Sequence, residues 1–96
     1  MSEVHEAVAD GARRRVLYCL RESGGVAGFE ELVDRVAARS DRDSRSVRRR
    51  LRRSTLPALE ELGALAYVPD EGRVVYRGGS YLTEVIEAAM HREGRG

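Results

Sequence analysis

Ten consecutive residues, Arg45 to Ser54, read RSVRRRLRRS and hold six arginines but only two apolar residues, Val47 and Leu51. Residues four apart share one side of an α-helix, so this segment can join a folded domain only as a surface helix buried along one narrow stripe. With Val47 at zero on an ideal wheel, Leu51 falls at about 40° and the direction of the core at about 20°. Arg45, Arg49, Arg52 and Arg53 then fall at about 160°, 200°, 140° and 240°, all facing outward. Arg48 and Arg50 lie on the two flanks, about 80° either side of the core direction. Their stems can cover apolar surface there while the guanidinium groups reach out.

The charge is segregated along the chain. All 17 basic residues are arginine, which a GC-rich coding bias would also produce, so position is more informative than number. Residues 42–53 hold seven arginines and one aspartate, a local charge of +6 in a chain of net +1, leaving −5 for the remainder. Like charges four apart repel, as in Arg45 with Arg49 and Arg49 with Arg53, and no acid between positions 44 and 59 relieves them. Two readings stand. An external polyanion neutralises the ridge, or Glu30, Glu31 and Asp34 fold back onto it from elsewhere in the chain.

At 96 residues the chain is expected to form one core, with residues 1–79 as the main unit and 80–96 as a closing helix. Val4 and Val8 suggest a short first helix. Asp10 is a fitting N-cap for GARRRVLYCLRES, with Ala12, Val16, Cys19 and Leu20 on one face, and Gly24-Gly25 ends it. Val26-Ala27 suits a short strand or bridge. Phe29, Leu32, Val33, Val36 and Ala37 mark the clearest amphipathic helix, and Asp43 or Ser44 starts the arginine helix, expected over 44–54.

On a straight helix Leu56 would land among the arginines, near 180°. Pro57 therefore implies a change of phase, by a kink or by a new helix capped at Ser54 or Thr55. The runs LAYV and RVVYR around Pro69-Asp70-Glu71-Gly72 predict a β-hairpin, with strands near 65–68 and 73–77. In YLTEVIEAAMHRE, Leu82, Val85, Ile86 and Met90 form an apolar stripe that either joins the core or pairs with a second copy. The fold class read from this order is α+β and mainly helical: a helix-turn-helix with a C-terminal hairpin wing and a closing helix.

Several functions are disfavoured by composition. No Ser-His-acid set, phosphate loop, paired carboxylates in an apolar context or metal-ligand spacing is present, so neither an enzyme nor a cofactor is expected. Cys19, the single cysteine, sits among apolar residues in VLYCL, as a packing group or a reactive thiol. The opening MSEVHEAVAD has neither the apolar run of a secretion signal nor the character of a transit peptide, and a cytoplasmic protein is expected.

The segments ADGARRRVLYCLRES, FEELVDRVA, LPALEELGAL and YVPDEGRVVYR, in this order, resemble the small winged-helix domains of haloarchaeal transcriptional regulators, over about residues 7–77. The resemblance implies a DNA-binding regulator of transcription. Arg52-Arg53-Ser54-Thr55 stands where such relatives would carry tyrosine and histidine before the Leu-Pro pair, so a shared target does not follow. The expectation is double-stranded DNA as partner, with Arg45, Arg48, Arg49, Arg52 and Arg53 entering the major groove and hairpin 65–77 as the wing. Arg73 is a candidate wing contact or a partner for Asp70 and Glu71. A homodimer through Leu82, Val85, Ile86 and Met90 is the companion expectation, and a protein-interaction module without specific DNA binding is the alternative.

Overall fold

The structure, a computed structural model, describes residues 3–94; the outer ends of both expected units, residues 1–2 and 95–96, lie outside the described residues. α1 (Glu3–Ala9) and α2 (Gly11–Glu22) meet at Asp10, whose Oδ1 accepts the Ala12 amide at 3.1 Å and caps α2. Arg13 donates to the Glu6 carbonyl at 3.0 Å, and Arg14 donates to those of Val8 at 2.8 Å and Ala9 at 3.3 Å. These carbonyls belong to the end of α1, where a helix has no partners of its own to offer. Both arginines therefore tie the first two helices together through backbone oxygens.

α2 is the centre of the molecule. Val16, Leu17, Tyr18, Cys19 and Leu20 are all buried, so this helix is covered on every side over its second half. Burial pushes the Cys19 thiol above its usual range, which makes it a packing group rather than a ready nucleophile. Gly24 at the C′ position has φ +78° and donates to Arg21 at 3.2 Å, while Gly25 donates to Leu20 at 2.8 Å. This is a Schellman ending, and Gly63 with Ala64 repeats it after the helix Leu56–Glu61.

Three short strands form one antiparallel sheet in the order β1-β3-β2: β1 (Val26–Gly28), β2 (Leu65–Val68) and β3 (Arg73–Tyr76). β2 and β3 are the expected hairpin, with Tyr67 opposite Val74; β1 adds to the free edge of β3, with Ala27 opposite Val74. Ala27, Leu65 and Val74 face the core, β1 and β3 packing against α2. The Phe29 amide donates to the Gly72 carbonyl at 2.8 Å, fastening the hairpin turn to the start of α3 (Phe29–Ala38).

The arginine helix is continuous but not uniform. α4 (Ser44–Arg50) passes into a π-helical turn (Leu51–Thr55) and then α5 (Leu56–Glu61), with Pro57 in the first turn of α5. The Leu56 amide donates to the Leu51 carbonyl, five residues back. A wider turn retards the wheel, so Leu51 and Leu56 come to the same side. Val47, Leu51, Leu56 and Leu59 are all buried in consequence. The expected phase change is thus made by a π turn just ahead of the proline, with Pro57 in the first turn of the helix that follows and no side-chain cap from Thr55. The missing Pro57 amide falls where the bonding pattern is already being rewritten.

α6 (Ser80–Arg92) closes the fold, with Leu82, Ile86 and Ala89 buried in the same core. Among the described residues no helix is long and apolar enough to cross a membrane.

Candidate nucleic-acid interface

Asp43 sets where the arginine helix begins. Its Oδ1 accepts the Ser46 amide at 2.8 Å, and that bond, with smaller help from Arg45 and Arg49, holds the carboxyl below the usual aspartate range. Val47 and Leu51 then turn inward, which fixes where each arginine points.

The six expected contact residues divide into two groups. Arg45, Arg49 and Arg53 are exposed, and among the described residues their side chains make no hydrogen bond or ion pair. Arg49 and Arg53, with Arg42 and Arg50, line a surface groove of about 270 Å³ that also includes Ser46. No carboxylate lines it. Arg42 and Arg50 are thus members of the cationic surface that the wheel argument left out. Arg42 lies ahead of the helix, outside any wheel, and Arg50 was legible only as a flank residue.

The other three are engaged. Arg48 is held by Glu30 of α3 in a forked contact, Nη2 to Oε1 at 2.7 Å and Nε to Oε2 at 3.1 Å. The Arg48 guanidinium beside it lowers the Glu30 pKa, and Glu30 in turn raises that of Arg48. Both side chains are well exposed, so water screens the pair. Arg52 lies with its guanidinium carbon 4.8 Å from the centre of the Phe29 ring, which itself stacks on Tyr67 at 5.4 Å. A stacked guanidinium keeps its N–H edges free to donate. Arg73 pairs with Glu71 in the hairpin turn, two residues away, rather than with a residue across the strands.

The fold-back reading of the ridge therefore holds at one arginine, Arg48, through an ion pair with Glu30 and a weaker electrostatic pull from Asp34. Several arginines outside the segment are instead engaged with other elements. Arg21 pairs with Glu87, Arg39 with Glu22 and Arg14 with Glu93, while Arg35 donates to the Ser23 hydroxyl at 2.7 Å.

The match to known families covers residues 5–75, from α1 through nearly all of β3 and including the whole arginine helix. The chain belongs to the DUF7344 family, a domain of unknown function. No curated protein and no solved structure matches it. The DUF7344 match contains every arginine described above as free in the groove and ends before α6. Of the stripe expected to pair two copies, Leu82 and Ile86 are buried within the chain's own core, and Val85 and Met90 remain partly exposed. Among the described residues there is no group of three or more His, Cys, Asp or Glu side chains that could hold a metal.

Proposed function

We propose that this chain is a winged-helix DNA-binding regulator of transcription, with residues 44–54 as the helix that enters the major groove and hairpin 65–77 as the wing. The observation that carries the reading is the groove bounded by Arg42, Arg49, Arg50 and Arg53, four guanidinium groups without a carboxylate among the lining residues. Side by side and unneutralised, such groups repel one another, and a phosphate backbone with one negative charge per about 1.7 Å of helix axis removes that repulsion. Arg45 extends the same face towards the start of the helix.

The element order supports the reading. A helix, a strand, two helices and a hairpin, with the first strand added to the far edge of the hairpin, is the arrangement that a winged helix requires. Ser44 to Thr55 spans about 18 Å, a length suited to a groove about 12 Å wide. In this reading Arg45, Arg49 and Arg53, with Arg42 and Arg50, grip phosphates or guanine edges. Arg52 donates from its stacked position, and Arg48 joins only when Glu30 lets go. Arg73, already neutralised by Glu71, is the weakest member. The resemblance to haloarchaeal regulators points the same way.

The test is a titration of duplex DNA by fluorescence anisotropy with Arg49→Glu, Arg53→Glu chain, its folding verified by circular dichroism. Affinity is expected to fall by about 100-fold or more, because each change removes a cation and adds an anion. Unchanged affinity in the folded variant would remove the basis of the proposal.

A further inference from the structure

We infer that the cleft where the start of α2 meets the arginine helix binds a single phosphate group, at a site that shares Arg42 and Arg50 with the exposed ridge and adds Arg15 and Thr55. The cleft has a volume of about 170 Å³, and its polar wall is formed by Arg15, Ser40, Arg42, Arg50 and Thr55, with Asp10 at one side. This goes beyond the DNA reading and does not depend on it.

Two independent observations point to an anion. The first is Thr55, the last residue of the π turn, which is 3% exposed. Its hydroxyl makes no hydrogen bond to any described residue and is not sealed from solvent, and the side chain lines the cleft. A hydroxyl on such a side chain draws its partner from whatever fills the space.

The second is charge. Arg15, Arg42 and Arg50 come from α2, the preceding loop and α4, and none makes a side-chain hydrogen bond or ion pair among the described residues. The Arg15 guanidinium lies at the first turn of α2, 3.8 Å from where a Cβ on Gly11 would stand. The amide end of a 12-residue helix thus adds to the positive field there. The one carboxylate on the wall, Asp10, is already held by the Ala12 amide at 3.1 Å. Three guanidinium groups against one carboxylate leave the wall at +2. A phosphate monoester, at roughly −1.5 to −2 near neutral pH, matches that. The volume is below the roughly 300 Å³ at which pockets begin to hold drug-sized molecules, so the cleft takes the phosphate group itself, with any organic remainder outside.

That group has two sources: a free phosphate or phosphate ester, and the backbone of duplex DNA. Either would bridge α2 to the π turn.

The experiment uses the full chain and inorganic phosphate, with sodium chloride at matched ionic strength as control, and reads the melting temperature and the amide NMR shifts. Phosphate is expected to raise Tm saturably and to shift amides of Gly11 and Thr55 where chloride does not. Arg15→Gln should weaken the midpoint by roughly 10-fold, as loss of a charge-assisted hydrogen bond implies. Thr55→Val should weaken it as well, and Thr55→Ser should restore it.

Arg49→Ala with Arg53→Ala, which removes two ridge arginines that do not line the cleft, should keep the phosphate response whether or not DNA binds, so the two proposals fail separately. A second arm titrates duplex DNA. Loss of affinity in Arg15→Gln with competition by phosphate assigns the group to the DNA backbone, and intact affinity assigns it to a free phosphate. A phosphate effect no larger than that of chloride, or one equal in wild type, Arg15→Gln and Thr55→Val, overturns the site.

Discussion

Single residues decide how much of the positive charge is available. Glu30 occupies Arg48 with two oxygens, yet the pair is open to water and its strength is modest. Glu30→Gln should release Arg48 and remove a negative charge beside the ridge. Duplex DNA should then bind more tightly, with the slope of log K against log salt steeper by about 0.9. Equal affinity in an anisotropy titration would place Arg48 out of reach of phosphate. Gly78 acts on stability in the same local way. A Cβ there would come within 2.3 Å of the Tyr76 hydroxyl and 2.7 Å of Leu82 Cδ2, while Tyr76 is held by Thr83 at 2.9 Å at the start of α6. Gly78→Ala is therefore expected to lose about 1–3 kcal/mol in urea unfolding. Gly79→Ala, with open space at its Cβ, should lose less than Gly78→Ala, its cost confined to the poorer N-cap that Ala gives α6.

At the scale of elements, the arginine helix depends on its first residue and on its middle. Asp43 is held below the ordinary aspartate range, mainly by the Ser46 amide. A depressed folded-state pKa means stabilisation that is complete above the unfolded value of about 3.9 and is lost as pH falls through the lower folded value. The stability difference between wild type and Asp43→Asn, followed by thermal melts, should be constant above about pH 5 and shrink towards zero in stronger acid. A difference that persisted at acid pH would show that the charge does not act there. The amphipathic helices, the caps at Asp10 and Asp43 and the hairpin were legible in the sequence because spacing, capping residues and turn residues are local signals. The π turn was legible only as a conflict, Leu56 on the wrong side of a straight wheel just before Pro57. Its resolution depends on which backbone amides find carbonyls. Pairing of β1 with β3 and the crowding at Gly78 are long-range or steric facts that no local pattern carries, and of the acids named as fold-back partners only the structure selects Glu30 as the ion pair of Arg48.

Across the described residues of the molecule, five arginines outside the 42–53 segment join elements together, whereas five within it face solvent without an ion pair. Arg13 and Arg14 tie α1 to α2, Arg39 ties α3 to α2, and Arg21 ties α2 to α6. The segment's +6 is set against −5 in the rest, and in the proposed role that segregation would orient an approaching duplex. Such a field makes a quantitative demand. If Arg42, Arg45, Arg49, Arg50 and Arg53 each neutralise one phosphate, the slope of log K against log salt should be about −4.5. Arg49→Ala with Arg53→Ala should bring it to about −2.7, since two of the five contacts are gone. The measurement is a series of anisotropy titrations on random-sequence duplex between 50 and 400 mM salt. A wild-type slope shallower than about −1 would mean that the ridge grips at most one phosphate. The unpaired guanidinium groups would then need another polyanion to account for them.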